Sequence, residues 1–370
     1  MNNVMVVGKK CMGCSSCVFS CPKKAVTFKK DVIGFSFPIV DANKCIDCGK
    51  CLARCPANNA SIFLKPTKVF AANAIDKCAN SSSGGIATLF ILSFILSGGV
   101  VYCTYFSEKN QRFVFGRFTN ERFPKKTSGS RYVQSDVLNS YSLCESDLKV
   151  GLNVLFLGTP CQIDGLIHFL NKQYQKLITI DILCHGVPSQ KMLFNHLENI
   201  KNGELLGDIL FRNKSEYCIR TFDCNGKILY KSKIKKDLFL EGFQEGRILR
   251  DSCFICKYSR FERVSDISLG DFWAKRFDDN LRDSVVLVNT SKGVVFFEQL
   301  RDKLDAVELQ SNIDCIFKNN PALKKPVKKS FYRVLFLRYY SDNCDFDKAI
   351  IKSRPIKKRI IELVRRSKLQ

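Results

Sequence analysis

Eight cysteines near the start of the chain repeat one spacing twice, as Cys11-x-x-Cys14-x-x-Cys17-x-x-x-Cys21-Pro22 and as Cys45-x-x-Cys48-x-x-Cys51-x-x-x-Cys55-Pro56. Three thiolates on one tight loop fit three corners of a cubane iron-sulfur cluster, and in doubled runs the fourth Cys serves the other cluster. The spacing therefore assigns Cys11, Cys14, Cys17 and Cys55 to one [4Fe-4S] cluster, and Cys45, Cys48, Cys51 and Cys21 to a second. Disulfides and zinc ribbons are the competing readings, and a doubled run with Pro after each last Cys suits neither. Four more cysteines stand where chemistry is expected: Cys161, Cys184 and the pair Cys253-x-x-Cys256. Converging, they would hold a third [4Fe-4S] cluster. An all-cysteine zinc cage would use the same residues. So would a redox thiol, with Cys161 a low-pKa nucleophile at a helix start and Cys253 and Cys256 an exchangeable pair. Cys78, Cys103, Cys144, Cys218, Cys224, Cys315 and Cys344 read mostly as small buried apolar residues.

Local patterning supplies the elements that position these residues. Val154 to Leu157 is an apolar run, followed by Gly158-Thr159-Pro160-Cys161 and helical spacing at Ile163, Leu166, Ile167 and Leu170. Ile178 to Leu183 is a second such run, ending in Cys184-His185-Gly186-Val187-Pro188 and a helix to about Ile200. This is a βαβ unit with Cys161 and Cys184 just past the carboxyl ends of parallel strands, where open α/β sheets bind ligands. Upstream, Ser81-Ser82-Ser83-Gly84-Gly85 opens an apolar helix from Ile86 to Ser97. Hydroxyls would cap it and glycines would let a phosphate approach its N-terminus, although a plain Ser-capped helix would look the same. The uncharged stretch Gly84 to Cys103 is long enough to span a bilayer, but Gly98-Gly99 divide it into this short helix and a strand from Val100. Asp266 to Trp273 reads as a strand leading into a turn.

The 370 residues are 45% hydrophobic and 25% charged, as expected of soluble globular domains. Nineteen cysteines without a signal segment at Met1 to Lys10 point to a reducing, cytoplasmic setting. The formal charge is +24, and residues 321–370 carry fifteen Lys and Arg against four Asp and Glu. Ile356, Ile360, Leu363 and Val364 recur there at helical spacing among Lys357, Lys358, Arg359, Arg365 and Arg366. Such a basic amphipathic helix would pack on the body, lie peripherally on the anionic inner membrane face, or meet an acidic protein or nucleic acid. No nucleic-acid-binding motif accompanies it. The boundaries expected are residues 1–66 for the cluster domain, 67–320 for an α/β domain and 321–370 for the basic tail.

The doubled cysteine run resembles the bacterial two-cluster ferredoxins, which implies an α+β βαββαβ module with a hairpin of Ala25 to Phe28 and Phe35 to Val40. Downstream, Ser82-Ser83-Gly84-Gly85, Ser128 to Ser135, Gly158-Thr159-Pro160-Cys161-Gln162, Cys184 to Pro188, Phe211-Arg212-Asn213-Lys214 and Ser265 to Trp273 occur in order. Together they are similar to the coenzyme F-420 hydrogenase/dehydrogenase beta-subunit family over about residues 78 to 300. The resemblance implies an α/β flavin domain with a mainly parallel sheet. It also implies FAD, with Ser82, Ser83, Gly84, Gly85, Gly158 and Thr159 among the cofactor-binding residues. Around that flavin His185 would donate a proton, or simply hold its loop. Lys214 would stabilise the reduced ring, or pair at the surface. Asp271 would accept hydrogen bonds from ribityl or substrate hydroxyls, or cap a turn. Glu216-Tyr217 and Tyr102-Cys103 depart from the family pattern and leave the substrate open.

The expectation is an iron-sulfur flavoprotein oxidoreductase fed by a ferredoxin-type donor and acting on an organic substrate or deazaflavin. A beta subunit of a larger hydrogenase or formate dehydrogenase, a ferredoxin-driven thiol/disulfide reductase and a plain electron carrier are the alternatives. No Gly-x-Gly-x-x-Gly or P-loop supports direct nicotinamide or ATP binding.

Overall fold

The computed structural model describes residues 2–76, 83–119, 129–201, 203–213, 216–232, 237–272, 283–309, 314–343 and 345–355. Each cysteine run carries a one-turn helix, α1 (Ser16–Phe19) or α2 (Lys50–Ala53), and between the runs lies an antiparallel hairpin, β1 (Val26–Lys30) with β2 (Ser36–Val40). Each helix follows a left-handed residue, Ser15 (φ 72°) or Gly49 (φ 70°), and two positions earlier stands another, Gly13 (φ 68°) or Asp47 (φ 50°). Left-handed residues between right-handed ones turn backbone N–H groups toward one side, the arrangement found around anions and iron-sulfur sites. The outer strands of a βαββαβ module do not form among the described residues. Val4–Lys10 is a 3-10 segment kinked at Gly8, and Leu64 bridges to Arg263 of the larger domain instead of returning to β1 and β2.

The rest of the chain runs β3 (Lys68–Ala74), α3 (Ile86–Leu96), β4 (Val100–Ser107), β5 (Arg112–Phe118), α4 (Ser140–Lys149), β6 (Val154–Gly158), α5 (Pro160–Leu170), β7 (Leu177–Ile182) and α6 (Gln190–Lys201). Then come β8 (Asp208–Asn213), β9 (Glu216–Phe222), β10 (Ile228–Lys231), α7 (Leu238–Gln244), β11 (Ile267–Asp271), β12 (Ser284–Val288), α8 (Ser291–Glu298), β13 (Leu304–Glu308), α9 (Asp314–Asn319), α10 (Tyr332–Asn343) and α11 (Phe346–Lys352). Eight strands form one sheet in the order β13-β3-β12-β11-β7-β6-β4-β5. The four central strands β4, β6, β7 and β11 are parallel, as the βαβ pattern requires. The flanks are antiparallel: β4 turns straight into β5, and β12, β3 and β13 alternate in direction beyond β11. A short turn can only join antiparallel neighbours, whereas the parallel centre needs crossover helices.

Side chains alternate across this sheet. Val101 and Leu155 pack beneath α3 and α8, while Val100, Tyr102, Val154 and Phe156 pack against α4 and α5. A third core joins Ile33 and Phe35 of the N-terminal hairpin region to α6, α7, the β8-β9 ribbon and the C-terminal helices. Phe336, Tyr340, Phe346 and Ile350 are fully buried in it, so residues 332–352 are integral to the body despite their positive charge. The basic helical pattern at 356–364 lies outside the described residues. Among the described residues no helix is long and apolar enough to cross a membrane.

His196 on α6 ties α11 to this core. Its Nδ1 lies 2.6 Å from Asp347 Oδ1 and its Nε2 lies 3.4 Å from Asp237 Oδ2. Burial opposes the imidazolium, yet the two carboxylates outweigh burial and raise its pKa to about 9. The unfolded chain has the ordinary value near 6.5, so this stabilisation is full below about pH 6.5 and is lost as pH rises through about 9. A shift of this size is worth about 3 kcal/mol. Thermal melts between pH 6.5 and 9 are expected to fall with rising pH in the native chain and to lose most of that slope in His196→Gln.

Candidate functional site

Cys11, Cys14, Cys17 and Cys55 are all buried, and the structure gathers them. Burial pushes Cys14 and Cys17 well up, and the neighbouring thiols Cys11 and Cys55 push both further. Cys51 faces Cys21 in the same way, and Cys17 in turn lies near Cys51. Cys48 is exposed and Cys45 half-buried, which leaves this second group at the surface. Backbone N–H groups point at sulfur in both: Gly13 N donates to Cys11 Sγ at 3.4 Å, and Ala25 N to Cys21 Sγ at 3.2 Å. Sulfurs that repel one another when ionised, yet receive backbone donors, fit a cationic iron core that would hold them as thiolates.

A second gathering lies in the sheet domain. Cys161 is in the first turn of α5, Cys184 follows β7, Cys253 lies within a 3-10 turn, Asp251–Ile255, and Cys256 caps its end. Each of Cys161 and Cys184 feels the charge of Cys253 and Cys256. Thr159 Oγ1 lies 3.3 Å from Cys161 Sγ, and Gly186 N donates to Cys184 Sγ at 3.4 Å. Burial pushes Cys161 up to about 12 and Cys253 to about 11. For the alternative of a low-pKa nucleophile at Cys161, burial weighs against the thiolate more than Thr159 favours it. Among the described residues no three or more Cys, His, Asp or Glu are close enough to hold a single metal ion. Ligands of a cubane stand farther apart than ligands of one ion, because each binds a different iron.

The two gatherings meet at α5. A Cβ on Gly165 would lie 2.8 Å from Cys14 Cβ and 3.0 Å from Cys14 Sγ. Cys161 is one turn earlier on the same helix, about 6 Å along its axis. Tyr141 and Tyr258 fill the space between, their hydroxyls donating to Gln162 O and to Asp164 Oδ2, each at 2.6 Å. The Cys253-x-x-Cys256 turn is bracketed by two cations that reach back to the N-terminal module. Arg250, 1% exposed, donates to Cys11 O (2.8 Å), Ser36 O (2.8 Å) and Gln134 Oε1 (3.0 Å), and its guanidinium lies over Phe35 and Phe37. Lys257 Nζ donates to Pro56 O and Ser61 Oγ, both at 2.5 Å. Arg250 and Lys257 were not singled out in the sequence; only their places beside the CxxC could have marked them.

A cavity of about 470 Å³ opens at the carboxyl ends of the parallel strands. Ser83, Gly85, Gly158, Thr159, Cys184, His185 and Asp271 line it, so most of the site residues expected from the sequence meet here. The expected hydroxyl cap of α3 is not what forms. Gly85 (φ 77°) occupies the cap position without a side-chain bond, and Ser83 Oγ instead lies 3.0 Å from Ser284 Oγ. Gly84 lies against β3, where a Cβ would meet Ala72 O, and its N–H donates to Ser284 Oγ at 3.1 Å. The first turn of α3 thus presents uncapped N–H groups at the positive end of an apolar helix. Thr159 turns inward, its N–H and Oγ1 both donating to Gln162 Oε1 at 2.9 Å.

The far wall is aromatic and cationic. Tyr132 stacks on Phe243 at 4.9 Å, and His185 meets Phe243 edge-on at 5.2 Å. The protein around His185 desolvates its imidazolium and lowers its pKa. Asp271 Oδ2 accepts from Arg212 Nη1 at 2.6 Å, so its carboxylate already has a partner. Arg131 adds a guanidinium to the lining, its side chain largely shielded from solvent. Arg131, Tyr132 and Arg212 stand inside motifs noted in the sequence, but no role was drawn for them. Ser82 and Lys214 lie outside the described residues, as does Trp273.

Residues 151–312 match the family described as the C terminus of the coenzyme F420 hydrogenase/dehydrogenase beta subunit. Residues 10–59 match the 4Fe-4S dicluster domain. The chain carries regions similar to both families in one polypeptide. Its larger matched region is similar to an oxidoreductase-subunit family, and its N-terminal region to an iron-sulfur one. Among solved structures, a chain of the F420-reducing [NiFe] hydrogenase complex from Methanosarcina barkeri is similar at 17% identity, with a TM-score of 0.46, over 81% of this chain and 93% of that one. No curated protein matches the chain.

Proposed function

We propose that this coenzyme F420 hydrogenase/dehydrogenase relative is an iron-sulfur flavoprotein oxidoreductase that exchanges electrons between a ferredoxin-type donor and an organic acceptor. The observation that carries it is the order of the cysteine sets. The set of Cys45, Cys48, Cys51 and Cys21 reaches the surface at Cys48, and Cys11, Cys14, Cys17 and Cys55 are all buried. Cys161, Cys184, Cys253 and Cys256 follow across α5, and Cys184 borders the cavity. Each set would hold a [4Fe-4S] cluster and the cavity a flavin, FAD on the family resemblance; such groups carry single electrons and convert them to pairs. The uncapped N-terminus of α3 and its Gly85 would bind the cofactor phosphate, and Arg131 would add positive charge. His185, neutral at pH 7 because it is desolvated, would hold or release a proton at its ring nitrogen. Asp271 and Arg212 would orient polar groups of the acceptor as a pair.

Anaerobically purified protein is expected to retain one flavin per chain and to bleach it when mixed with reduced ferredoxin. Gly85→Val puts a β-branched residue in the left-handed region, a strain of roughly 1–2 kcal/mol, at the phosphate end of the cavity. It should lose most of the flavin while keeping its iron. Flavin retained equally by Gly85→Val, or absent from the native chain, would sink the cavity assignment. The family description names a beta subunit, which supports a second reading with substrate chemistry on a separate large chain. Native mass of the protein from its own cells distinguishes the two.

A further inference from the structure

The third core leaves one outward face that no part of the proposed redox site uses. Phe331 is 80% exposed just before α10, and Val334, one turn on, is 63% exposed. Their neighbour Arg333 is buried, donating to Arg247 O at 2.8 Å and to Asp251 Oδ1 at 3.0 Å, with its guanidinium over Phe254. The start of α10 is thereby fixed rigidly against the 251–255 turn, which exposes Ile255 at 63%. Exposed Lys324, Lys325, Lys328, Lys329 and Arg338 lie within seven residues of Phe331 or Val334 along the chain, and residues 321–340 contain no Asp or Glu.

We infer that this face docks the protein onto an anionic lipid bilayer, with Phe331 and Val334 entering the headgroup region and the lysines facing lipid phosphates. Large apolar side chains set in a field of cations without counter-charges are the pattern of interfacial membrane contacts. Protein interfaces deplete Lys and favour Arg, whereas four of the five exposed cations here are Lys. No helix among the described residues is suited to crossing the bilayer, so the contact is peripheral. It places the bilayer beside the turn that carries Cys253 and Ile255.

Co-sedimentation of the intact, anaerobically prepared protein with vesicles tests this. Binding is expected to vesicles of equal parts phosphatidylglycerol and phosphatidylcholine, not to phosphatidylcholine alone, and to weaken steeply with salt. Phe331→Ser with Val334→Ser, which leaves the charge unchanged, should weaken binding about tenfold or more. Changing Lys324, Lys325, Lys328 and Lys329 to Gln should weaken it by on the order of 10³-fold. These residues are exposed, so iron content and the melting temperature should stay at native values and separate lost docking from lost folding. No binding to the mixed vesicles overturns the inference. So does binding that both variants retain in full, since other basic surfaces would then be responsible. An acidic protein from the same cells that binds this face, with no vesicle binding, would also overturn it.

Discussion

Arg250→Met is expected to loosen the cysteine-rich N-terminal module from the sheet domain at a cost of about 3 to 5 kcal/mol. Methionine keeps the buried stem but removes three donors, leaving the carbonyls of Cys11 and Ser36 buried without their guanidinium partner. It also removes the cation over Phe37, 4.5 Å from the ring centroid. Arg250→Lys should recover little, because one ammonium cannot reach two carbonyls and Gln134 in the directions the planar fork supplies. The readouts are the melting temperature, expected to fall by roughly 4 to 6 °C, and hydrogen exchange. Faster exchange should be confined mainly to peptides around residues 11–37. A melt within about a degree of native, with exchange unchanged, would mean that the module is held by other contacts.

Gly165→Ala makes the second large effect, and its sign is the informative part. Alanine normally stabilises a helix interior by about 1 kcal/mol over glycine. Here the new methyl would meet Cys14 Cβ at 2.8 Å and the Tyr141 hydroxyl at 2.8 Å, both held in a packed interior. Overpacking of this kind costs about 1 to 3 kcal/mol. It should also displace the Cys14 loop from the other sulfurs of its set. Iron analysis of the variant is expected to show a loss of about four irons per chain, with the flavin proposed for the cavity retained. Native iron content in a stabilised Gly165→Ala protein would show that α5 does not press on Cys14, and the link between the two cysteine gatherings would fail.

Much of this arrangement could be read locally. The cysteine spacing marks both N-terminal sets because three ligands of each lie on one loop. The runs Val154 to Leu157 and Ile178 to Leu183 become β6 and β7, and Gly98-Gly99 end α3 where a bilayer span would have continued. What could not be read depends on partners distant in sequence. Arg250 finds Cys11 O across 239 residues, a contact that leaves no periodic trace in the chain. The outer ferredoxin strands are replaced because Leu64 pairs with Arg263. The start of the basic C-terminal stretch looks like a solvated tail by charge, yet Phe336, Tyr340, Phe346 and Ile350 are buried. Net charge reports the outer face of such helices and is blind to the inner one. Arg212 and Asp271 likewise sit 59 residues apart, and only the fold shows that the carboxylate is already paired.

The central claim is three clusters and one flavin on a single chain. Iron, acid-labile sulfide and flavin, measured per chain on anaerobically purified protein, test it most directly. About twelve irons, matching sulfide and one flavin are expected, at four irons per cluster. About eight irons with no flavin would contradict it, and would leave Cys161, Cys184, Cys253 and Cys256 to some other chemistry.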